Sequence, residues 1–183
     1  MLNKKEFDNI RKELQEFDEE REKMIIVSRE IIKLSKLIIY ACHRNDVKTV
    51  SKLIDDIKIK IKRLSNKDYD MGLNNVAFQE YVEAITFFEF VKNNKVPDYK
   101  ELNVNIEEYL SGLADLTGEL GRKAVHDAIK KDFKNVVKIK DLVEEIFGEF
   151  LKFDLRNGEL RKKSDAIKWN LNKLEDLVLS LKI

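Results

Sequence analysis

Two short words of this sequence carry four carboxylates. Phe78-Gln79-Glu80-Tyr81-Val82-Glu83-Ala84 sets two of them three residues apart, and Leu113-Ala114-Asp115-Leu116-Thr117-Gly118-Glu119-Leu120 sets two more four residues apart. Residues at these spacings share a helix face. If the two faces meet, Glu80, Glu83, Asp115 and Glu119 converge, and such a cluster is costly to bury unless a cation neutralises it. An all-oxygen donor set suits a hard divalent ion, Mg²⁺ or Mn²⁺. The chemistry to expect is metal-assisted hydrolysis on a helical scaffold.

The two pairs differ in their surroundings. At roughly 100° per residue, Glu80 falls among Ala77, Ala84, Phe87 and Val91, and Glu83 falls beside Phe87 and Phe90. Both interrupt an apolar stripe, where an unpaired carboxylate costs free energy or takes up a proton. The plainer alternative is that each finds its own Arg or Lys. Asp115 and Glu119 share a face with Glu108, Ser111, Gly112, Arg122 and His126, which by itself reads as an ordinary polar face with a Glu119–Lys123 pair at helical spacing. Gly112, Gly118 and Gly121 argue for more, because glycines inside a helix often mark the close approach of another backbone or a ligand. A di-iron centre of the ferritin type needs Glu-x-x-His on two helices, and neither His43 nor His126 follows a Glu by three. His126 reads as a polar surface residue.

A second chemical feature is basic. Arg29, Lys33 and Lys36 step by four and three along one line, continued by Tyr40, His43 and Arg44. Cations with an aromatic among them fit the backbone of a nucleic acid, although an isolated stripe of this kind is usually a solvated face. Arg161, Lys162 and Lys163 form a further basic patch. Phosphodiester hydrolysis needs both parts, cations to hold the backbone and a metal to activate water.

The elements that must position these residues are helical throughout. Apolar residues recur at helical spacing from 4 to 42, through Phe7, Ile10, Leu14, Phe17, Met24, Ile31, Leu34 and Ile38. Asp46 is a suitable N-cap for a second helix reaching about Leu64. Further helices are expected at about 68–94, 105–131, 136–152 and 159–182, with a short turn after Pro97 and a break at Arg156-Asn157-Gly158. No segment alternates with the two-residue period of a strand. The expected fold is all-α, a single-domain bundle of six or seven helices over residues 1–183. In the last helix Leu160, Ile167, Leu171, Leu174, Val178 and Leu181 follow a seam like that of a coiled coil, and Trp169 lies off it, either under a neighbouring loop or on a contact surface between subunits.

Composition sets the outer bounds. The chain has 183 residues, 43% hydrophobic and 38% charged, with one Pro and six Gly, a mixture that suits long helices. The net charge of +1 excludes a global polycation but not local basic surfaces. One Cys leaves no internal disulfide and fits a reducing, cytoplasmic setting; with only two His, a structural zinc site is not expected. No apolar run nears the roughly 20 residues of a membrane span, and the polar, acidic start does not read as a signal peptide.

Together with Ser28-Arg29-Glu30-Ile31-Ile32-Lys33, Ala41-Cys42-His43-Arg44 and Leu160-Arg161-Lys162-Lys163-Ser164-Asp165, the two acidic words resemble the translin superfamily over almost the whole chain, and more closely its translin-associated factor X branch. The resemblance implies a helical subunit that assembles into a closed, hollow octamer, here a homo-oligomer of the single-subunit prokaryotic or archaeal kind. It implies a Mg²⁺-dependent endoribonuclease cutting RNA inside the shell, with Glu80, Glu83, Asp115 and Glu119 as catalytic metal ligands. The non-catalytic translin branch has a basic residue where Glu80 stands and lacks the acid at Asp115; this chain keeps all four. Arg29, Lys33, Lys36, His43 and Arg44 are the candidates for holding RNA, mainly single-stranded, or single-stranded DNA. Two other readings stand beside this one: a non-catalytic nucleic-acid-binding assembly, and a structural bundle that pairs with another protein through its last helix.

Overall fold

The computed structural model describes residues 2–64 and 72–182, and among these every regular element is a helix. They are α1 (Lys4–His43), α2 (Val47–Ile61), α3 (Gly72–Asn93), α4 (Tyr99–Leu102), α5 (Ile106–Ile129), α6 (Phe133–Phe150) and α7 (Glu159–Leu181).

The boundaries follow from short polar residues. Asn3 accepts from the Glu6 N–H to start α1, Asp46 accepts from Thr49 at 3.1 Å to start α2, and Asp98 accepts from the N–H groups of Lys100 and Glu101 to start α4. Asn45, Asn94 and Asn103 close their helices in the left-handed region, which asparagine tolerates better than most side chains. Asp132 accepts from the Asn135 N–H, so α6 begins at Phe133 rather than at the expected 136. The turn after Pro97 is a full helical turn, α4. The expected end of the second helix near Leu64 runs past the observed Ile61, and the expected start of the third at 68 lies outside the described residues.

Packing runs in sequence order across the bundle. α1 lies against α2 and α3, α3 against α5, and α5 against α6 and α7, which also touch each other. The core is built from fully buried Ile31, Ile38, Ile57, Val82, Phe87, Leu116, Leu120, Ile139, Val143, Ile167 and Leu174. The α7 seam is spent inside the chain: Ile167, Leu171 and Leu174 are buried and Leu160, Val178 and Leu181 pack at the core's edge. Trp169 stays outside, 69% exposed, in a groove with Phe147, Leu151, Phe153, Arg161 and Lys168.

Two features matter for function. The contact of α3 with α5 is close because Gly112 has no side chain: a Cβ there would sit 2.6 Å from the Gln79 carbonyl oxygen and 2.7 Å from the Val82 Cβ. That approach brings the two acidic words to one level. Of the three glycines expected to mark such contacts, only Gly112 does so; a Cβ on Gly118 meets Asn170 at an ordinary 3.8 Å, and Gly121 faces open space. The other feature is the first half of α1. Residues 2–23 are exposed along their whole length, so the apolar line of Phe7, Ile10, Leu14 and Phe17 faces solvent in the single chain. Among the described residues no helix is long and apolar enough to cross a membrane.

Candidate metal centre

Glu80 and Glu83 project from α3, and Asp115 and Glu119 from α5, on either side of the Gly112 contact. All four lie at the boundary between core and surface. Glu83 is the most deeply affected. Its carboxyl is pushed up to about 8, first by burial and then by the negative charges of Asp115, Glu80 and Glu119. Among the described residues it forms no ion pair. The carboxyl of Glu80 is also raised, chiefly by burial, with Lys36 at 3.7 Å pulling the other way and Asp115 adding to the rise. The acids of α3 and α5 therefore feel one another, although Glu80 and Asp115 also have cations of their own.

The remaining two acids are tied down. Lys163 of α7 donates to Asp115 at 2.5 Å and to Gln79 at 2.9 Å, so the ammonium group bridges α5 and α3. Glu119 is 2.6 Å from the Nε2 of His43, the last residue of α1, and 3.6 Å from Arg122. The hydrogen bond from His43 is the main reason its carboxyl is held below the usual range. As they stand, no three carboxylate, imidazole or thiol groups among the described residues surround a single point in ligand geometry. The donor chemistry nevertheless fits a hard divalent ion: all oxygen, with more negative charge than Lys36 and Lys163 neutralise, and with the Glu83 carboxyl pushed up by burial and by the acids around it.

The basic line runs beside this cluster. Arg29, Lys33, Lys36, Tyr40 and Arg44 are exposed along α1, and Lys36 reaches from the line to Glu80. Arg44 lies over the Tyr40 ring at 5.5 Å and donates to its hydroxyl at 3.1 Å. His43 does not belong to the line. It is 6% exposed, packed against Phe87 at 4.8 Å, with its Nε2 committed to Glu119, so it presents no nitrogen to a phosphate backbone. Three further details differ from the sequence reading. Lys123 pairs with Asp127 rather than Glu119, in a buried network completed by Asn135 of α6. Glu108 accepts from the Asn105 N–H at the start of α5 and so serves the helix end. His126 is half-buried, 5.6 Å from His43, rather than on the open surface. Cys42 is no nucleophile, since burial pushes its thiol up to about 12. The sequence reading missed the roles of His43 and Lys163 toward the acids. The signals for Lys163 were its place in the Arg161–Lys163 basic patch and in the Leu160–Asp165 word, neither of which points to Asp115.

Comparison with known proteins places this geometry in context. The profile of the Translin family matches residues 19–183. An uncharacterized protein of Methanocaldococcus jannaschii is 32% identical over 164 residues, 85% of this chain and 73% of that protein. Translin-associated protein X of Pongo abelii is 25% identical over 225 residues, 97% of this chain and 77% of its own. Among solved structures, apo-NeC3PO superposes with a TM-score of 0.90 at 31% identity, covering 98% of this chain and 97% of that one. AfC3PO in complex with duplex RNA superposes with a TM-score of 0.83 at 28% identity, covering 97% and 96%.

Proposed function

This chain belongs to the translin family, and from that premise we propose that it is a divalent-metal-dependent endoribonuclease centred on Glu80, Glu83, Asp115 and Glu119. The observation that carries this reading is the setting of Glu83, a carboxyl pushed up to about 8 first by burial and then by the charges of three neighbouring acids, with no ion pair among the described residues. A structural cluster would be expected to gain a lysine at that point; a metal site leaves the charge to the ion. When bound, Mg²⁺ or Mn²⁺ supplies a Lewis acid for the phosphate and an acidified water.

The chain's own residues do the rest. Glu80, Glu83, Asp115 and Glu119 are the residues that would hold the ion. Glu80, beside Lys36, and Glu119 are the two carboxylates placed to orient the attacking water. Arg29, Lys33, Lys36 and Arg44 hold the backbone, with Tyr40 offering a face for a base. Backbone contacts carry no sequence information, so cleavage has little sequence preference. RNA is the proposed substrate because AfC3PO is described in complex with duplex RNA. Duplex therefore joins single-stranded RNA and single-stranded DNA among the substrates to compare. The proposed assembly is a homo-oligomer, an octamer by family resemblance, in a reducing cytoplasmic setting. The exposed Phe7–Phe17 line supports self-association, because contiguous exposed apolar surface of this kind marks a protein contact.

One observation favours a second reading, a nucleic-acid-binding assembly without catalysis. Lys163 already neutralises Asp115, and among the described residues no three ligands stand in position. One experiment separates the two. Purified protein should cut an unstructured RNA in Mg²⁺, stop on chelation, and lose cleavage but keep RNA binding in Glu80→Gln. Binding without turnover in either Mg²⁺ or Mn²⁺ would establish the second reading instead.

A further inference from the structure

His43 closes α1 with a side chain only 3% exposed, and among the described residues its polar contact is Nε2 to Oε2 of Glu119 at 2.6 Å. Its other nitrogen, Nδ1, is buried with no hydrogen-bond partner among the described residues. Buried polar atoms are nearly always paired, so this orphan needs an explanation. The contact itself supplies the tautomer. If the single proton of a neutral ring sat on Nδ1, an N–H would be buried without an acceptor and the Nε2 lone pair would face a carboxylate lone pair at 2.6 Å. With the proton on Nε2, the ring donates to Glu119 and only a bare lone pair is left on the buried side of the ring, which packs against Phe87. An imidazole used in this way is a poor stabilising contact, because half of its polar capacity is buried unmet. What it achieves is orientation: Oε2 of Glu119 is fixed by a donor from a different helix, and among the described residues His43 and Arg122 both meet Oε2 rather than Oε1.

We propose that His43 is a positioning residue for the metal centre, its Nε2–H locking one oxygen of Glu119 so that the other is held toward a divalent ion shared with the acids of α3. The inference rests on the metal-dependent reading of the acid cluster. Hydrogen-bond donors behind a metal ligand commonly change metal affinity about 10–100-fold when removed.

The test is Mn²⁺ binding alone, followed by calorimetry and by the paramagnetic resonance signal of free Mn²⁺, on the full chain without RNA. Three variants are compared with the wild type. His43→Leu removes the donor and keeps an apolar plug. His43→Asn keeps a polar side chain whose amide is too short to reach Glu119. His43→Gln places an amide N–H where Nε2 stands. Melting in EDTA checks that each variant folds. The expected result is Mn²⁺ affinity weakened about 10–100-fold in His43→Leu and His43→Asn, with recovery in His43→Gln. Wild-type affinity in His43→Leu or His43→Asn would overturn the proposal, and so would equal losses in all three variants, which would mark a packing role. If the wild-type chain itself binds no Mn²⁺, the metal reading of the cluster fails, and that result is distinct from a failure of His43 alone.

Discussion

Replacing Glu83 by glutamine should stabilise the metal-free protein while removing its response to metal. In the fold the Glu83 carboxyl sits at about 8, against an ordinary value of 4.5. Between those two values the folded chain binds more protons than the unfolded one, so its stability falls as the pH rises through that window; below it the penalty is absent. Each pH unit costs about 1.4 kcal/mol, so the ceiling at pH 7 is about 3 kcal/mol. Water reaching the half-buried carboxyl lowers this, and about 1–3 kcal/mol is the expected gain for Glu83→Gln, which keeps the shape and never ionises. Urea titrations in EDTA at pH 5 and pH 7 measure it. The wild type and the variant should be alike at pH 5 and the variant ahead at pH 7. Adding Mg²⁺ should then stabilise the wild type, by about 2.7 kcal/mol at a hundredfold excess over the dissociation constant, and the variant much less. A Glu83→Gln variant no more stable than the wild type at pH 7 in EDTA would refute the idea that burial and the neighbouring acids together penalise the Glu83 charge at this site.

Other expectations follow from the same geometry. Gly112→Ala gains about 1 kcal/mol of helix propensity but drives a methyl group into the α3 backbone, and overpacking of this kind costs about 1–3 kcal/mol; the net loss should appear in urea melts, and unchanged stability would deny the close approach. Arg29→Ala and Lys33→Ala should each reduce the slope of log affinity for RNA against log salt by about 1, with no change in sequence preference, as filter binding across a salt series would show; an unchanged slope would remove that side chain from the backbone path. Leu14→Glu combined with Phe17→Glu should lower the assembly's mass by light scattering while helicity by circular dichroism is kept, because both side chains are already exposed in the single chain. Unaltered mass would show that the arm takes no part in assembly.

The helices were legible because their ends are written in single residues. Asp46 starts one helix and Asn94 ends another by local chemistry that tertiary packing does not override. The acid pairs were legible for a similar reason, since spacings of three and four fix a face. Whether two faces meet is a different matter, and there the clue was Gly112, whose missing side chain matters only once α3 is known to pass so close that a Cβ would lie 2.6 Å from the Gln79 carbonyl oxygen. Gly118 and Gly121 look the same in sequence and mark no such contact. His43 was assigned to the basic line because it lies at that line's edge, roughly 40° from buried Ile39 by helical geometry. Its burial is decided by Phe87 of α3 and by Glu119 and His126 of α5 closing over it, which no pattern along α1 reveals. The pairing of Lys123 was undecidable from spacing, with a carboxylate four residues away on each side; Asn135 of α6 settles it by joining Asp127. The seam of α7 shows the same limit from the other side, because its periodicity is that of a coiled coil and its partners are helices of the same chain.

The most direct test of the account is a crystal of the protein soaked in Mn²⁺, with the ion located by its anomalous scattering. One or two ions should lie between α3 and α5, with oxygens of Glu83 and Asp115 among the ligands and the Lys163 ammonium displaced from Asp115. A saturated soak in which Lys163 still holds Asp115 and no ion lies between the two helices would contradict it.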